Sequence, residues 1–190
     1  MRAQRFVIAL LAAMLTPTAL WAQAQAPAPN PPQKPPQAPA APSAPGGGQS
    51  FGSWVLGCPP ANGAEKAPCV LIQQISETLS RKVVFVWLMQ YSPDGSLLGA
   101  FRVPTGVFVD RGLVMKMDGK GDGLRVGYTR CDPGECQAVF TISEKLAKQL
   151  SDAKSVTVDI ALTNGQTADV RIDMTGFPAA LTALADGRKN

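Results

Sequence analysis

Short runs rich in β-branched and aromatic residues, separated by turn-forming residues, make up the sequence from residue 51 onward. Few folds accommodate many short strands at regular spacing, and the commonest are antiparallel sandwiches and barrels. The candidate strands span 51–57, 69–76, 83–91, 97–103, 107–109, 113–117, 124–130, 137–142, 155–162 and 168–174. We therefore predict an all-β fold, an antiparallel β-sandwich that carries minor helices.

The run at 83–91, VVFVWLMQY, differs from the others because it is apolar almost throughout and does not alternate. Nine residues is a strand length, and the β-branched and aromatic content favours a strand over a helix. A continuous apolar strand is typical of burial on both faces. We predict that this strand lies at the centre of the sandwich.

The register of the last hairpin can be predicted from side-chain parity. Its Asn-Gly pair suggests a two-residue turn, but that turn would place Ile160 opposite Asp169 and mix apolar and charged side chains on one face. A three-residue loop that ends at Gly165 pairs Val158 with Val170 instead. We predict the longer loop, with Gly165 in the left-handed conformation of a bulge.

Two short helices are predicted outside the strands. Ser143 is a suitable N-cap for a helix over 144–152, in which Leu146 and Leu150 lie one turn apart and face the core. A proline at the first helical position predicts a second helix over about 178–185. The sandwich is therefore expected to carry one or two short helices.

The first 24 residues have the pattern of a secretory signal peptide. Arg2 and Arg5 precede an apolar run over 6–15, and an Ala-x-Ala site follows at 22–24. The apolar run is shorter than the roughly 20 residues needed to span a bilayer. We expect residues 1–24 to direct export and to be removed, which leaves no transmembrane segment in the mature chain.

Residues 25–50 form a segment rich in Pro, Ala and Gly, with nine prolines and no large apolar residue. Such a segment cannot bury a core, so a disordered or polyproline II linker is predicted. A Pro-x-x-Pro ligand for a partner domain is the alternative. The remaining residues, 51–190, are predicted to form one β-sandwich domain with a single core.

Four cysteines allow three pairings. Sequence proximity and turn chemistry favour bridges between Cys58 and Cys69 and between Cys131 and Cys136, with a type II turn over 132–135. Export makes disulfides the default state of these cysteines. A four-thiolate zinc site and a redox-active pair are the alternatives, but neither matches the close spacing or the helix start that those sites usually have.

The absence of histidine restricts the chemistry open to this chain. It excludes Ser-His-Asp and Cys-His catalytic pairs and imidazole metal sites. Residues 118–123 resemble a calcium loop only partly, since Lys120 stands where a ligand belongs. Asp94, Asp110 and Asp132 lie in turn contexts that explain them without catalysis. We predict no catalytic, cofactor-binding or metal-binding residues.

Two sets of residues could form binding surfaces. The first is a mildly basic face of Lys116, Lys120, Arg125 and Arg130, and the second is an aromatic platform of Trp54, Trp87 and Tyr128. A solvated face and a place in the core are the commoner roles of such residues. The net charge of +4 falls to about +2 without the two arginines of the signal peptide, so the charge predicts no nucleic-acid partner.

The order of these motifs also resembles a known family. The segments that carry the resemblance are FGSWVLGC at 51–58, CVLIQQ at 69–74, VPTGV at 103–107, GL at 112–113, CDPGECQA at 131–138 and GF at 176–177. Together they resemble the invasion-associated locus B family of alphaproteobacterial exported proteins, over 51–185. One departure is Glu135, which stands directly before the last cysteine, where the family usually has glycine.

The resemblance implies an immunoglobulin-like β-sandwich in the periplasm or at the cell surface. Some members of the family are associated with host-cell entry, and no catalytic residues are established for it. We therefore expect an exported, non-catalytic binding module with a protein or cell-envelope partner. The alternatives are a periplasmic enzyme, either a thiol-disulfide catalyst or a carboxylate hydrolase, and a structural protein of envelope assembly.

Overall fold

Eleven strands and two α-helices make up the described part of the chain, residues 48–59 and 68–188 of a computed structural model. The strands are β1 (Gln49–Phe51), β2 (Trp54–Gly57), β3 (Val70–Ser76), β4 (Val83–Tyr91), β5 (Leu97–Pro104), β6 (Leu113–Met117), β7 (Lys120–Val126), β8 (Arg130–Cys131), β9 (Glu135–Thr141), β10 (Ser155–Ala161) and β11 (Thr167–Asp173). The helices are α1 (Glu144–Asp152) and α2 (Phe177–Gly187).

The strands form two antiparallel sheets that enclose one core. The larger sheet has seven strands in the order β1-β2-β3-β4-β5-β9-β8, and the smaller has four in the order β11-β10-β6-β7. The predicted all-β sandwich with one or two short helices is confirmed. The segments predicted to be a signal peptide (1–24) and, for nearly all of its length, a linker (25–50) lie outside the described residues. Strand β1 begins at Gln49, two residues earlier than the predicted domain start.

Several elements match their predicted bounds because their signals are local. Strand β4 spans 83–91 and is the middle strand of the larger sheet. Helix α1 spans 144–152, and the Ser143 hydroxyl accepts the backbone N–H of Leu146 at 3.2 Å. In the last hairpin Val158 pairs with Val170, and Gly165 has a left-handed φ of 85°. The alternation of apolar and polar side chains therefore predicted the correct length, three residues, for the loop that ends at Gly165.

Two of the predicted strands are wrong: the one at the start of the domain, 51–57, and the one before β6, 107–109. The run 51–57 is not one strand. It contains the last residue of β1, a turn at residues 52–53 where the chain meets the segment after β11, and then β2. The run 107–109 makes a single bridge from Val107 to Leu162 and then a 3₁₀ turn, Val109–Arg111. Both departures come from contacts with distant parts of the chain.

The run predicted as a strand over 124–130 is also different. Strand β7 begins at Lys120, because a tight turn at residues 118–119 pairs Lys120 with Met117 and draws the polar residues into the sheet. It ends at Val126, and the chain then crosses to the larger sheet as β8. The glycine-rich segment 118–123 is therefore partly strand and not only a turn region.

Aromatic rings fill the centre of the core. Trp54 contacts Trp87 edge to face at 5.4 Å between ring centroids and Phe177 at 4.9 Å. Phe101 contacts Trp87 at 5.1 Å. All four side chains are essentially inaccessible to solvent. The rings come from three strands of the larger sheet and from α2, so α2 closes the sandwich against β1–β3.

Both helices contribute buried side chains to this core. Leu150 of α1 is fully buried, as predicted. Helix α2 buries Phe177, Ala180 and Leu184, whereas Leu181 is half-buried at the side. Within residues 48–59 and 68–188, no helix has the length and apolar character needed to cross a membrane.

Candidate functional site

The four cysteines form two bridges in the pairing favoured by sequence proximity. Cys58 at the end of β2 is bonded to Cys69 just before β3. Cys131 of β8 is bonded to Cys136 of β9, which lies directly opposite it in register. Each bridge joins adjacent strands of the larger sheet. Neither lies at a helix start, where a reactive thiolate is usually stabilised.

The turn between the second pair of cysteines is not the predicted type II turn. The backbone N–H of Asp132 donates to the carbonyl of Glu135 at 2.8 Å, as expected for a tight hairpin. A type II turn requires a positive φ at its third residue. Gly134 has no positive φ, so the prediction from the Pro-Gly pair is wrong.

The candidate carboxylates lie in separate places, and Asp94 and Asp132 have local partners. Asp94 accepts hydrogen bonds from Ser92 and Ser96 in the β4–β5 turn, and these bonds lower the pKa of its carboxyl group. Asp132 lies 3.5 Å from Arg130, and Asp110 lies in the 3₁₀ turn. Among residues 48–59 and 68–188, no three metal-ligating side chains cluster in a way that could hold an ion.

The cations of the proposed basic face mostly have partners. Lys116 on β6 pairs with Asp159 on β10 at 2.6 Å, and this hydrogen bond raises the pKa of the lysine. The guanidinium group of Arg125 donates to the carbonyl of Arg111. Arg130 is the cation that pairs with Asp132. The structure therefore disperses these charges among local contacts.

The aromatic platform is divided between the core and the surface. Trp54 and Trp87 are fully buried in the core. Tyr128 is half-buried, and burial raises its pKa to about 12. The three rings do not form a surface for ligand stacking.

A joint between the two sheets lies where the two ends of the domain meet. It contains most of the residues that carry the family resemblance at those ends. We call this region, 51–54 together with 173–177, the sheet joint. The indole N–H of Trp54 and the side-chain amide of Gln73 both donate to the main-chain carbonyl of Asp173, at 3.0 and 2.9 Å. The Asp173 carboxylate accepts the Ser53 hydroxyl at 2.8 Å and the backbone N–H of Thr175 at 2.9 Å.

The sheet joint gives a prediction for pH dependence. Hydrogen bonds from Thr175, and then from Ser53, lower the pKa of the Asp173 carboxyl group. A lowered folded-state pKa adds stability above the unfolded-state pKa, near 3.9, and that stability is lost as the pH falls through the folded-state pKa. We expect Asp173→Asn to be less stable than the parent protein at pH 7, with a difference that narrows below about pH 4.

Urea unfolding from neutral to acidic pH measures this difference. Asp122→Asn, which neutralises an exposed carboxylate on β7, is the control and should behave like the parent protein at each pH. If the difference in free energy of unfolding between Asp173→Asn and the parent protein stayed constant over the whole pH range, the ionised Asp173 carboxylate would not be the group that stabilises the sheet joint.

Two open clefts are present among the described residues. The first, of about 500 Å³, includes Tyr91, Asp94, Leu184 and Arg188, and the Arg188 guanidinium lies 4.6 Å from the centre of the Tyr91 ring. Asp94 is the one carboxylate that lines it within the described part of the chain. Among the described residues, therefore, no second acid faces Asp94 in this cleft, as a carboxylate hydrolase would require.

The second cleft, of about 480 Å³, lies between β7 and α1. It combines two lysines, Lys120 and Lys145, with apolar side chains such as Leu124 and Leu146. Leu124 is 37% exposed, so the cleft is continuous with the outside. Its lining offers cations but no acid that could act as a general base.

A further unusual feature is the side of the larger sheet that faces away from the core. Strand alternation places Trp54, Phe85, Trp87 and Phe101 on the inner side, so their sequence neighbours point outward. We call these apolar neighbours the outer face. They are Val55, Val70, Ile72, Val84, Val86, Leu88, Leu98, Ala100 and Val139, and none of them belongs to the core cluster.

Five members of the outer face line up in one row across five strands. Strand register pairs Val55 with Ile72, Ile72 with Leu88, Leu88 with Ala100, and Ala100 with Val139. The exposed fraction rises from 6% at Ile72 to 38% at Val139. An antiparallel sheet with one solvated face normally alternates apolar and polar residues. This sheet is apolar on both sides at its centre.

The neighbouring row on the same side of the sheet contains both apolar and polar side chains. Gln74, Val86, Arg102 and Gln137 follow one another across β3, β4, β5 and β9. Arg102 approaches Glu135 at 3.8 Å, and its Nε makes no hydrogen bond within the described residues. The outer face therefore has an apolar centre and a polar border. In this border Arg102 lies beside Glu135, and Arg130 of β8, opposite Gln137, pairs with Asp132.

Sequence reasoning assigned the apolar run of β4 to burial on both faces. Its inner residues are in the core, and on the outer side Val86 is also buried, at 6% exposure. Val84 and Leu88, however, are only partly buried and lie outside the core. The same apolar signal that predicted a central strand thus also marks the outer face.

Comparison with known proteins supports the fold. Residues 54–185 match the family model for the invasion associated locus B (IalB) protein. The chain is also similar to the crystal structure of invasion associated protein B from Bartonella henselae, with 18% identity and a TM-score of 0.65. That match covers 75% of this chain and 99% of the Bartonella chain.

Among curated proteins, no relative matches the sequence significantly. Because the sequence identity to the Bartonella protein is only 18%, that similarity shows a shared fold and nothing further. The family match spans both sheets and α2, including the sheet joint from Trp54 onward, both disulfides and the outer face. Because it covers well over half of the chain, the protein belongs to the invasion associated locus B family.

Proposed function

We propose that this protein is an exported, non-catalytic binding module of the cell envelope, which acts in the periplasm or at the cell surface through its outer face. Its partner is a protein with an uncharged apolar surface. The carrying observation is the apolar row across β2, β3, β4, β5 and β9. Contiguous apolar side chains outside a core are typical of protein interaction sites.

Other features fit export and a binding role. Two disulfides fit an oxidising compartment. Both bridges and the sheet joint tie the strands into a rigid frame, which lowers the ordering penalty when a surface binds a partner. Because the family is named for invasion, contact with a host cell is one setting in which this module would act.

The local partners of the acidic groups also support a role without catalysis. Asp94 is engaged by the serines of its own turn, and Asp173 holds the sheet joint. These bonds account for the lowered pKa values of both carboxyl groups, in the direction that keeps them ionised. A general acid needs the opposite shift, toward neutral pH.

Site-specific photo-cross-linking in intact cells tests the proposal. A photoreactive residue at Leu88, at the centre of the outer face, is expected to give a covalent adduct with a protein. The same residue at Leu79, which is 93% exposed but lies between β3 and β4 outside the face, is the matched control. Mass spectrometry of the adduct identifies the partner. Equal labelling at both positions, or no protein adduct at Leu88, would overturn the proposal.

A further inference from the structure

The partner of the outer face can be inferred from the register, polarity and charge of its side chains. We infer that its protein partner is a second copy of this chain, bound face to face about a two-fold axis that runs parallel to β4. The inference rests on the proposed function, because it names the partner of the same surface. The strand register of the larger sheet supplies the first argument.

Rotation about a two-fold axis along β4 leaves each residue at the same position along the strand direction and exchanges the strands on either side of β4. Each row therefore faces the same row of the second copy, with the order of its residues reversed. In the main row, Leu88 then faces Leu88 of the second copy, because it is the middle residue of five. Ile72 faces Ala100, and Val55 faces Val139. Every contact in this row is apolar, and the large side chain of Ile72 meets the small one of Ala100. Interdigitated packing of this kind is what two sheet faces need.

The mixed row is self-complementary about the same axis. Val86 faces its own copy, and Gln74 of one copy faces Arg102 of the other. The Arg102 Nε has no hydrogen bond within the described residues, and its nearest anion, Glu135, is 3.8 Å away. A carboxamide oxygen at Gln74 is a suitable acceptor for a guanidinium N–H. Polar groups therefore meet polar groups at the border of the apolar centre.

Charge and size also permit this contact. The mixed row and its continuation onto β8 contain two cations, Arg102 and Arg130, and each lies beside an anion, so two copies approach without strong repulsion. Five strands at about 4.8 Å spacing and seven residues at about 3.4 Å rise give a face of roughly 24 by 24 Å. Two such faces have a combined footprint on the order of 1,100 Å², the scale of a small specific interface. Ile72 and Val86 are each 6% exposed, so the half-buried members of the face and its polar border supply most of the area that two copies would bury.

The buried side chains of both helices belong to the core and not to the outer face. Helix α1 places Leu150 in the core, and α2 places Phe177, Ala180 and Leu184 there. Because each sheet is twisted, the two faces are closest at the axis, near Leu88 and Val86. A charge at that position is consequently the most disruptive change.

Sedimentation velocity of the full chain over a concentration series tests the inference. We expect the parent protein to reach twice the mass of one chain at high concentration. Leu88→Glu places two like charges opposite each other on the axis and should raise the dissociation constant at least tenfold. Leu79→Glu, the control, should leave it unchanged. Far-UV circular dichroism verifies that each variant is folded.

A second variant tests the register without adding charge to the apolar centre. Gln74→Glu faces Arg102 of the other copy and should lower the dissociation constant severalfold at low salt, with the gain lost at high salt. A parent protein that stays monomeric at every concentration overturns the inference, as does a Gln74→Glu variant that dimerises more weakly. An adduct at Leu88 with a different protein, together with a monomer in solution, would overturn only the self-association and leave the proposed function standing.

Discussion

Replacing Trp54 with alanine is expected to lower the free energy of unfolding by about 3–5 kcal/mol. The indole is fully buried and contacts two other aromatic rings, so its loss leaves a cavity at the centre of the core. The variant also loses the hydrogen bond from the Trp54 indole to the Asp173 carbonyl. Guanidinium unfolding monitored by far-UV circular dichroism measures the loss, because that signal does not depend on tryptophan fluorescence.

Two milder variants separate packing from hydrogen bonding. Trp54→Phe keeps a ring but removes the donor to Asp173, whereas the indole N–H of Trp87 has no hydrogen-bond partner among the described residues. Trp87→Phe thus removes a buried polar group that lacks a protein acceptor. We expect Trp54→Phe to be the more destabilising of the two, by about 1–2 kcal/mol. The opposite order would show that the sheet joint does not depend on this hydrogen bond.

The local parts of this fold could be predicted from the sequence. The nine-residue run of β4, the N-cap at Ser143 and the parity of the last hairpin each depend on residues that are close in the chain. The alternation of β10 and β11 admits one register only, because a shift by one residue would expose the apolar side chains. These predictions hold because no distant contact competes with the local signal.

Distant contacts explain the errors. The predicted strand over 51–57 breaks at residues 52–53, where the chain meets Thr175, more than 120 positions later. Strand β7 extends back to Lys120 because it pairs with β6 through a tight turn. Neither contact leaves a periodic signal in the nearby sequence, so turn and strand propensities alone misplace these boundaries.

The outer face was only partly predictable for a related reason. Its apolar residues on β4 were visible as a continuous run, but the row also needs β9 beside β5, with β6, β7 and β8 passing in between along the chain. A one-dimensional pattern cannot show that Val139 lines up with Ala100. Nor can an apolar run distinguish a face covered within the same chain from a face covered by a partner.

Replacing Gly176 with alanine is expected to destabilise the protein by about 3–4 kcal/mol. Gly176 precedes α2 with a left-handed φ of 81°, and a Cβ atom there would lie 2.5 Å from the carbonyl oxygen of Phe51. The clash is with backbone, so a side-chain rotation cannot relieve it. The change therefore has to shift the sheet joint itself, in addition to the strain of an L-residue in this conformation.

Gly165→Ala supplies the matched control for this effect. Gly165 has nearly the same φ, 85°, but a Cβ atom there would contact nothing within 4 Å. Its substitution should cost only about 1–2 kcal/mol, which is the conformational term by itself. The difference between the two variants in urea unfolding consequently isolates the close approach of residues 51 and 176. Equal losses would mean that the joint yields freely, and that the frame beneath the outer face depends on the core rings and the disulfides instead.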